Sequence, residues 1–354
     1  MENRQDSQVV GLWATPTMVA YEAKYAPHHL TIETTGRCVG ACVYCYSSST
    51  PDSGQVMPAE KVFELIDEGV ELGVNGIVWH GGDPITHPRW DDFMGYAADR
   101  GLVNVCILVN PMSFTRARSR RLTELPLESV VVHIDAIDQA IYDQVHTAPQ
   151  TLQQKLKGHR TLLEAGFPPE KTIGCITLTH QTASCVEQTI DYFVDEMKAS
   201  FVEFVTFKTV GFAANRGLDH LEPTLEEVRR ALEYRAQKLN APDLLRIGCS
   251  DGRHLCRGYI LIKDDGAVTP CCLLQDLVVG NVYEERLSEI FRKHRQLLLY
   301  DFEIQGPCGE CENNDVCIGC RANAHYYLGD IQASDPKCWL NPTSRQGPYL
   351  ESKG

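Results

Sequence analysis

From residue 28 to residue 239 the chain alternates between two hydrophobic patterns. Short runs of apolar and β-branched residues, at 28–33, 74–80, 103–109, 129–137, 172–179 and 201–210, have the length and make-up of buried strands. Between and after them lie stretches whose apolar residues return every three or four positions, at 58–73, 88–101, 113–125, 151–166, 182–199 and 224–239, which predicts helices. In the fifth of these, Val186, Ile190, Phe193, Val194 and Met197 fall on one helix face. The pattern is six strand-helix units. Strands separated by whole helices run parallel, and right-handed crossovers either curl them into a barrel or spread them as a doubly wound sheet. Periodicity does not choose between the two. In both, the loops after the C-terminal ends of the strands carry the chemistry. Beyond Asn240 the repeat stops, and short segments between turns predict a small domain built around metal rather than hydrocarbon, with no low-complexity linker before it.

Composition narrows the function classes. The 354 residues, 43% of them hydrophobic, supply core for about two domains. With 33 Lys and Arg against 47 Asp and Glu the net charge is −14. That balance repels nucleic acid and anionic lipid, so neither is an expected partner. The first eight residues are polar, and no stretch nears the roughly 18 to 20 consecutive apolar residues of a membrane span, so a cytoplasmic location is expected. The 15 cysteines, without an export signal, are better explained by metal than by disulfides. They fall unevenly, at Cys38, Cys42 and Cys45, then scattered at Cys106, Cys175 and Cys185, then densely from Cys249 to Cys338. Two metal regions are implied.

The first region puts three thiolates into one loop directly after the first strand, soft ligands for an iron-sulfur cluster or for zinc. A four-iron cube held by three thiolates leaves one iron open to a substrate or cofactor, whereas an electron-transfer ferredoxin run supplies a complete set of cysteines. A zinc loop with a distant fourth ligand is the alternative. After the second strand comes His80-Gly81-Gly82-Asp83-Pro84, where glycines let backbone approach a ligand and proline fixes φ. On the fourth strand His133 and Asp135 alternate onto one face. Such a buried polar pair must be satisfied, either by a structural hydrogen bond or by a part in handling a substrate proton.

The spacing C-x3-C-x2-C, with Tyr44 before its last cysteine, resembles the signature of the radical S-adenosylmethionine (SAM) superfamily. The resemblance implies that Cys38, Cys42 and Cys45 hold a [4Fe-4S] cluster whose open iron chelates the amino and carboxylate groups of SAM. Reductive cleavage then gives methionine and a 5′-deoxyadenosyl radical that abstracts a hydrogen atom from substrate. Gly81-Gly82-Asp83-Pro84 resembles the family's Gly-Gly-Glu-Pro turn, which helps hold the SAM amino group, so Tyr44, Gly81, Gly82, Asp83 and Pro84 form the implied cofactor site. Asp83 is one methylene shorter than the usual Glu, which favours a backbone contact over a side-chain one. Where the family often has Ser-x-Asp near SAM and substrate, this chain has His133-Ile134-Asp135. The turn from Val210 to Asn215 is similar to a Gly-Arg-Ala turn of the family, with Phe212 in place of Arg.

The second region reads Cys308-x2-Cys311-x5-Cys317-x2-Cys320, then Cys338, and is preceded by Cys249, Cys256 and Cys271. Two C-x2-C knuckles alone suit structural zinc. Together with the N-terminal triplet the pattern resembles the SPASM extension of radical SAM enzymes, which holds up to two auxiliary [4Fe-4S] clusters. Gly266, Pro270-Cys271 and Gly280-Asn281-Val282, ahead of a predicted helix at 286–297, fit that extension, while the step from Cys317 to Cys320 is one residue shorter than the commonest spacing there. The resemblance implies Cys249, Cys256, Cys271 and Cys320 as ligands of a first auxiliary cluster, with Cys272 the alternative to Cys271. It implies Cys308, Cys311, Cys317 and Cys338 for a second. Cys106, Cys175 and Cys185 read as small buried hydrophobes.

The expected fold class is therefore α/β: a partial (β/α)6 TIM-type barrel at 28–240 and a small cysteine-rich iron-sulfur SPASM domain at 241–340, with an N-terminal extension at 1–27 and a tail at 341–354. By resemblance the chain is an oxidoreductase-like enzyme served by a flavodoxin- or ferredoxin-type electron donor. Its expected substrate is a peptide or protein to be oxidised, crosslinked or epimerised, ahead of a small molecule such as a sugar, an aminocyclitol or a nucleoside-derived intermediate. The segment before the first strand is too short for a separate peptide-recognition domain, which removes one argument for a ribosomal peptide. An iron-sulfur electron carrier or a zinc-stabilised binding module is the reading from another class, and the open triplet argues against both.

Overall fold

In the computed structural model, which describes residues 27–40, 42–148, 150–248 and 252–341, the six apolar runs are parallel strands. They are β1 His29–Glu33, β2 Gly76–His80, β3 Val103–Val109, β4 Leu127–His133, β5 Thr172–Leu178 and β6 Phe201–Thr206. Each lies beside its neighbour in the chain, in the order β6-β5-β4-β3-β2-β1. A doubly wound sheet reverses its strand order at a switch point. This order never reverses, so every crossover turns the same way and the strands form a partial barrel.

The helices of the barrel are α1 Ala59–Leu72, α2 Trp90–Asp99, α3 Arg116–Glu124, α4 Gln139–Val145, α5 Thr151–Glu164, α6 Val186–Asp191, α7 Phe212–Arg216 and α8 Leu225–Lys238. Alternation along the strands separates two apolar layers. Val130 and Val132 join the main core under the helices, while Val131 belongs to an inner cluster with Val78, Val105, Ile173 and Cys175. Cys106 and Cys185 are buried as well.

Strand β6 stops at Thr206, short of Val210, and three further elements differ from their sequence pattern for a local reason. The stretch 182–199 is one turn of 3-10 helix, then α6, then a π turn at Tyr192–Glu196. At its start the Thr182 hydroxyl bonds the Thr177 carbonyl at 2.9 Å, competing with regular helix bonding. The short α4 had no periodic signal; Asp138 starts it by accepting from the Ala140 and Ile141 amides at 2.9 and 3.1 Å. Strand β4 ends at His133 rather than Ile137 because Asp135 intervenes: its Oδ1 takes the Thr177 amide of β5 at 2.8 Å, a donor that a longer β4 would need.

The cysteine-rich part contains β7 Tyr259–Ile262, β8 Ala267–Thr269 and β9 Gly280–Asn281, with α9 Arg253–Cys256, α10 Leu287–Leu298 and α11 Arg321–Leu328. It is not organised by metal-binding residues alone. Strand β7 pairs in parallel with the free edge of β1, and β8 and β9 continue the same sheet antiparallel. Ile260, Ile262, Val268, Leu287 and Ile290 belong to the main hydrophobic core. An incomplete barrel leaves a β1 edge that needs covering, and this hairpin covers it. Among the described residues, no helix is long and apolar enough to cross a membrane.

Candidate active site

The loop after β1 brings Cys38, Cys42 and Cys45 to the wall of one chamber at the C-terminal end of the barrel. Donors steer the sulfurs: the Gly40 amide approaches Cys38 Sγ at 3.3 Å, the Asn110 amide group reaches it at 3.9 Å, and Ser47 Oγ lies 3.3 Å from Cys45 Sγ. Cys42 is fixed by a β-bridge to His146, continued by the Val43 amide bonding the Val145 carbonyl at 3.1 Å. Burial, helped by Asp83, pushes the Cys38 thiol up to about 12; burial also pushes Cys42 up, with Lys155 opposing. Metal coordination is what turns such thiols into thiolates. Among the described residues no three His, Cys, Asp or Glu side chains close around a single ion-sized point. Three soft donors spaced around one chamber suit a polynuclear cluster.

Gly81 and Gly82 form the adjoining wall. Their turn is clamped to the cysteine loop by the Gly82 and Asp83 amides, which bond the Thr35 and Arg37 carbonyls at 2.7 Å each. A Cβ on Gly82 would stand 2.3 Å from the Arg37 oxygen, so only glycine fits. Asp83 points the other way. It is fully buried, accepts from the Ser113 hydroxyl, and burial pushes its carboxyl up to about 7. Pro84 is buried at the start of a short 3-10 turn. The turn therefore offers the chamber its backbone and keeps the carboxyl of Asp83 inside.

Asp135 is the electrostatic centre of the site. It is fully buried. Its Oδ2 accepts from the Tyr44 hydroxyl at 2.5 Å and from His146 Nε2 at 2.7 Å, and its Oδ1 from the Thr177 amide at 2.8 Å, with His133 Nε2 at 2.9 Å. Burial disfavours the charged form, yet His133 and these hydrogen bonds hold the carboxyl well below the usual range. Burial keeps His146 neutral, pushed down to about 4, so its Nε2 carries the hydrogen it donates. His133 faces the chamber, with its Nε2 also 3.1 Å from the Thr177 hydroxyl. His133 and Asp135 are thus brought together, although Asp135 lies beyond the strand end.

Tyr46, Glu33 and Lys208 carried no sequence signal of their own. At the chamber wall the Tyr46 hydroxyl meets Glu33 Oε1 at 2.7 Å and His80 Nδ1 at 2.6 Å. Lys208, on the loop after β6, also lines the chamber, and among the described residues no Asp or Glu does. His180 pairs with Glu227 at 2.9 Å and does not line the chamber. Gly211 has φ +57°, and a Cβ there would stand 2.2 Å from the Tyr46 carbonyl oxygen, so the Val210–Asn215 turn rests directly on the cysteine loop.

The remaining cysteines gather in two places. Cys308, Cys311, Cys317 and Cys338 surround a cavity of about 320 Å³. A Cβ on Gly248 would come within 2.2 Å of Cys338 Sγ, so the cradle is tight on that side. Cys256, Cys271 and Cys320 pack together around Tyr300 and Leu274. Cys272, next to Cys271, faces the chamber instead. Cys249 lies outside the described residues.

The family model of the radical SAM superfamily matches residues 32–193, and that of the SPASM iron-sulfur cluster-binding domain matches residues 255–321. The chain is 24% identical over 351 residues to the AdoMet-dependent heme synthase of Methanosarcina barkeri, covering 90% of this chain and 97% of that protein. It is 27% identical over 343 residues to the PqqA peptide cyclase of Streptomyces rochei, covering 90% of each. Its fold is similar to that of Streptococcus suis SuiB bound to precursor peptide SuiA, with TM-score 0.68 at 16% identity over 92% of this chain and 80% of that chain. With three thiols on one chamber wall at the top of a partial barrel and both domains in this order, the chain belongs to the radical SAM superfamily and carries a C-terminal SPASM domain, an enzyme of the kind that works with SAM and iron-sulfur clusters.

Proposed function

We propose that this enzyme uses a SAM-derived radical to oxidise, crosslink or epimerise a peptide or protein. The observation that carries the radical chemistry is the convergence of Cys38, Cys42 and Cys45 on a chamber that the SPASM segment Cys272 and Leu273 also lines. When bound, a cluster on these thiols and SAM supply a 5′-deoxyadenosyl radical. The chain's own part is to place and protect. The Gly81-Gly82 backbone receives the cofactor, and Tyr44, tied to Asp135, fixes the loop that carries the ligands. His133 is the chamber-facing group able to exchange a proton with substrate, and Asp135 orients it.

Peptide modification is supported by 27% identity across nine-tenths of both chains to a peptide cyclase. The heme synthase relative, at similar identity and coverage, supports a small-molecule substrate as the second reading. The proposal includes two auxiliary four-iron clusters, one on Cys308, Cys311, Cys317 and Cys338, the other on Cys256, Cys271, Cys320 and Cys249, reduced through a flavodoxin- or ferredoxin-type donor.

Anaerobic incubation with SAM and dithionite tests the chemistry: methionine and 5′-deoxyadenosine are expected, and Cys42→Ala abolishes both. For the substrate, a perdeuterated peptide encoded beside the gene is incubated with the enzyme. Deuterium appearing in 5′-deoxyadenosine supports the peptide reading. Transfer from a deuterated small molecule, and none from the peptide, overturns it.

A further inference from the structure

Lys155 is fully buried on α5, and among the described residues no carboxylate pairs with its ammonium, which meets Tyr142 instead. Other buried cations are provided for. Lys337 pairs with Glu222 at 2.5 Å, and Arg321 donates to the Ile331 and Ala333 carbonyls at 2.8 and 2.7 Å. A buried charge without an ionic partner is costly, so something in the working protein must answer it. The helix cannot swing the side chain out. Lys155 sits among the buried positions Leu152, Gly158, His159 and Leu162. A Cβ on Gly158 would meet the Pro111 carbonyl at 1.8 Å, so α5 is pressed against the neighbouring turn.

The layers around Lys155 lead to one cluster ligand. Its Nζ lies 5.5 Å from the centre of the Tyr142 ring. Tyr142 stacks on His146 with ring centres 4.0 Å apart, and His146 is the bridge partner of Cys42. Cys42 faces the chamber, whereas Lys155 does not line it. The ammonium therefore stands behind the ligand loop, away from substrate. Asp135, the nearby carboxylate, is already shared among four donors. Burial works against the charged lysine, but Tyr142 and Asp135 favour its protonated form.

We propose that Lys155 is a fixed counter-charge for the SAM-binding cluster, an ammonium held behind Cys42 that favours the reduced state of that cluster. The inference rests on the reading of Cys38, Cys42 and Cys45 as cluster ligands. Reduction adds one electron, supplied by dithionite or a low-potential protein donor, and therefore one negative charge. A cation locked nearby in a poorly screened interior stabilises that added charge, and net charge is one of the determinants of cluster potential. Lys155 is thus a positioning charge rather than a catalytic residue.

The test is an anaerobic redox titration of the reconstituted full-length protein without SAM, followed by EPR. The relevant signal is identified beforehand by the change that SAM produces in it. In Lys155→Met and Lys155→Gln the reduced-to-oxidised ratio at a given potential should fall at least tenfold, a midpoint lower by about 59 mV for one electron. Lys155→Arg should stay within threefold of wild type. Neutral variants within twofold of wild type overturn the proposal, as does loss of the cluster in all three variants, because packing rather than charge would then be the role of Lys155. If both neutral variants lose the cluster while Lys155→Arg keeps it at the wild-type potential, the requirement for charge is upheld. A wild-type protein with no SAM-responsive signal would remove the reading of the three cysteines itself.

Discussion

Asp83 and Asp135 are both fully buried, and their surroundings treat them oppositely. Four donors hold Asp135 ionised, whereas Asp83 has the Ser113 hydroxyl and a more distant Arg118 against a larger burial effect, which leaves its carboxyl near 7. In the unfolded chain an Asp titrates near 3.9. The folded value is the higher one, so folding takes up a proton between those limits. This contribution to stability is complete below about pH 4 and declines by roughly 1.4 kcal/mol per unit until about pH 7. A carboxamide in place of this carboxyl would have no proton to take up. The melting temperature of Asp83→Asn relative to wild type should therefore climb from pH 5 to pH 7 and level off above, measured by circular dichroism under anaerobic conditions. A difference that does not vary with pH would show that Asp83 is not held protonated. At this scale the sequence was partly legible. His133 and Asp135 stood out because polar residues interrupted an apolar strand. Lys155 did not, since a lysine in a helix reads as solvent-facing by default. The usable signal was its phase: Lys155 and His159 occupy the positions of α5 where apolar residues belong.

Among elements, the six strands and most helices followed from hydrophobic period alone, because burial on both faces forces continuous apolar runs in a parallel sheet. What the period did not contain was how loops lie on one another. The turn at Gly211 shows this. Gly211 and Gly217 both have positive φ, +57° and +62°, yet a Cβ on Gly217 meets nothing within 4 Å, while one on Gly211 meets the Tyr46 and Cys45 carbonyls at 2.2 and 2.4 Å. Alanine at Gly217 bears the left-handed backbone strain of about 1 kcal/mol, whereas Gly211, with ψ −129°, lies outside the left-handed region in a conformation that costs an L-residue more. At Gly211 it must also displace the backbone of the cysteine loop, which cannot yield as a side-chain tip would. Gly217→Ala should thus lower the melting temperature slightly and leave SAM cleavage within twofold of wild type. Gly211→Ala should lower SAM cleavage more than tenfold at equal iron content. Equal activities in the two variants would mean that this contact does not position the loop. The motif around Gly211 was visible in the sequence, but its target, the carbonyls of Cys45 and Tyr46, became visible only with the fold.

Across the whole molecule, the cysteine-rich part is joined to the barrel by sheet rather than by a hinge, through β7 on β1. The loop after β8 then divides its two adjacent cysteines, Cys271 toward Cys256 and Cys320, Cys272 toward the chamber. Sequence left those two as alternatives, because a choice between neighbouring thiols is made by side-chain direction and not by spacing. Among the described residues, the cavity among Cys308, Cys311, Cys317 and Cys338 shares no lining residue with the chamber. Cys317 packs near Cys320, and a polar tie to the other cysteine group is Asp335, whose amide approaches Cys308 Sγ at 3.3 Å while its Oδ2 accepts from the Cys320 amide at 2.8 Å. Removing the Cys308 sulfur deletes only the first of these contacts. Asp335 keeps Cys320, Asn323 and the Lys337 amide as partners. Each cluster should therefore be lost separately. Wild type prepared without oxygen should carry about twelve irons per chain, and Cys308→Ala about eight. Dithionite-driven SAM cleavage should continue in that variant, because Cys38, Cys42 and Cys45 are untouched. An unchanged iron content would exclude Cys308 as a ligand, and loss of SAM cleavage would mean that the distant centre supports the barrel itself.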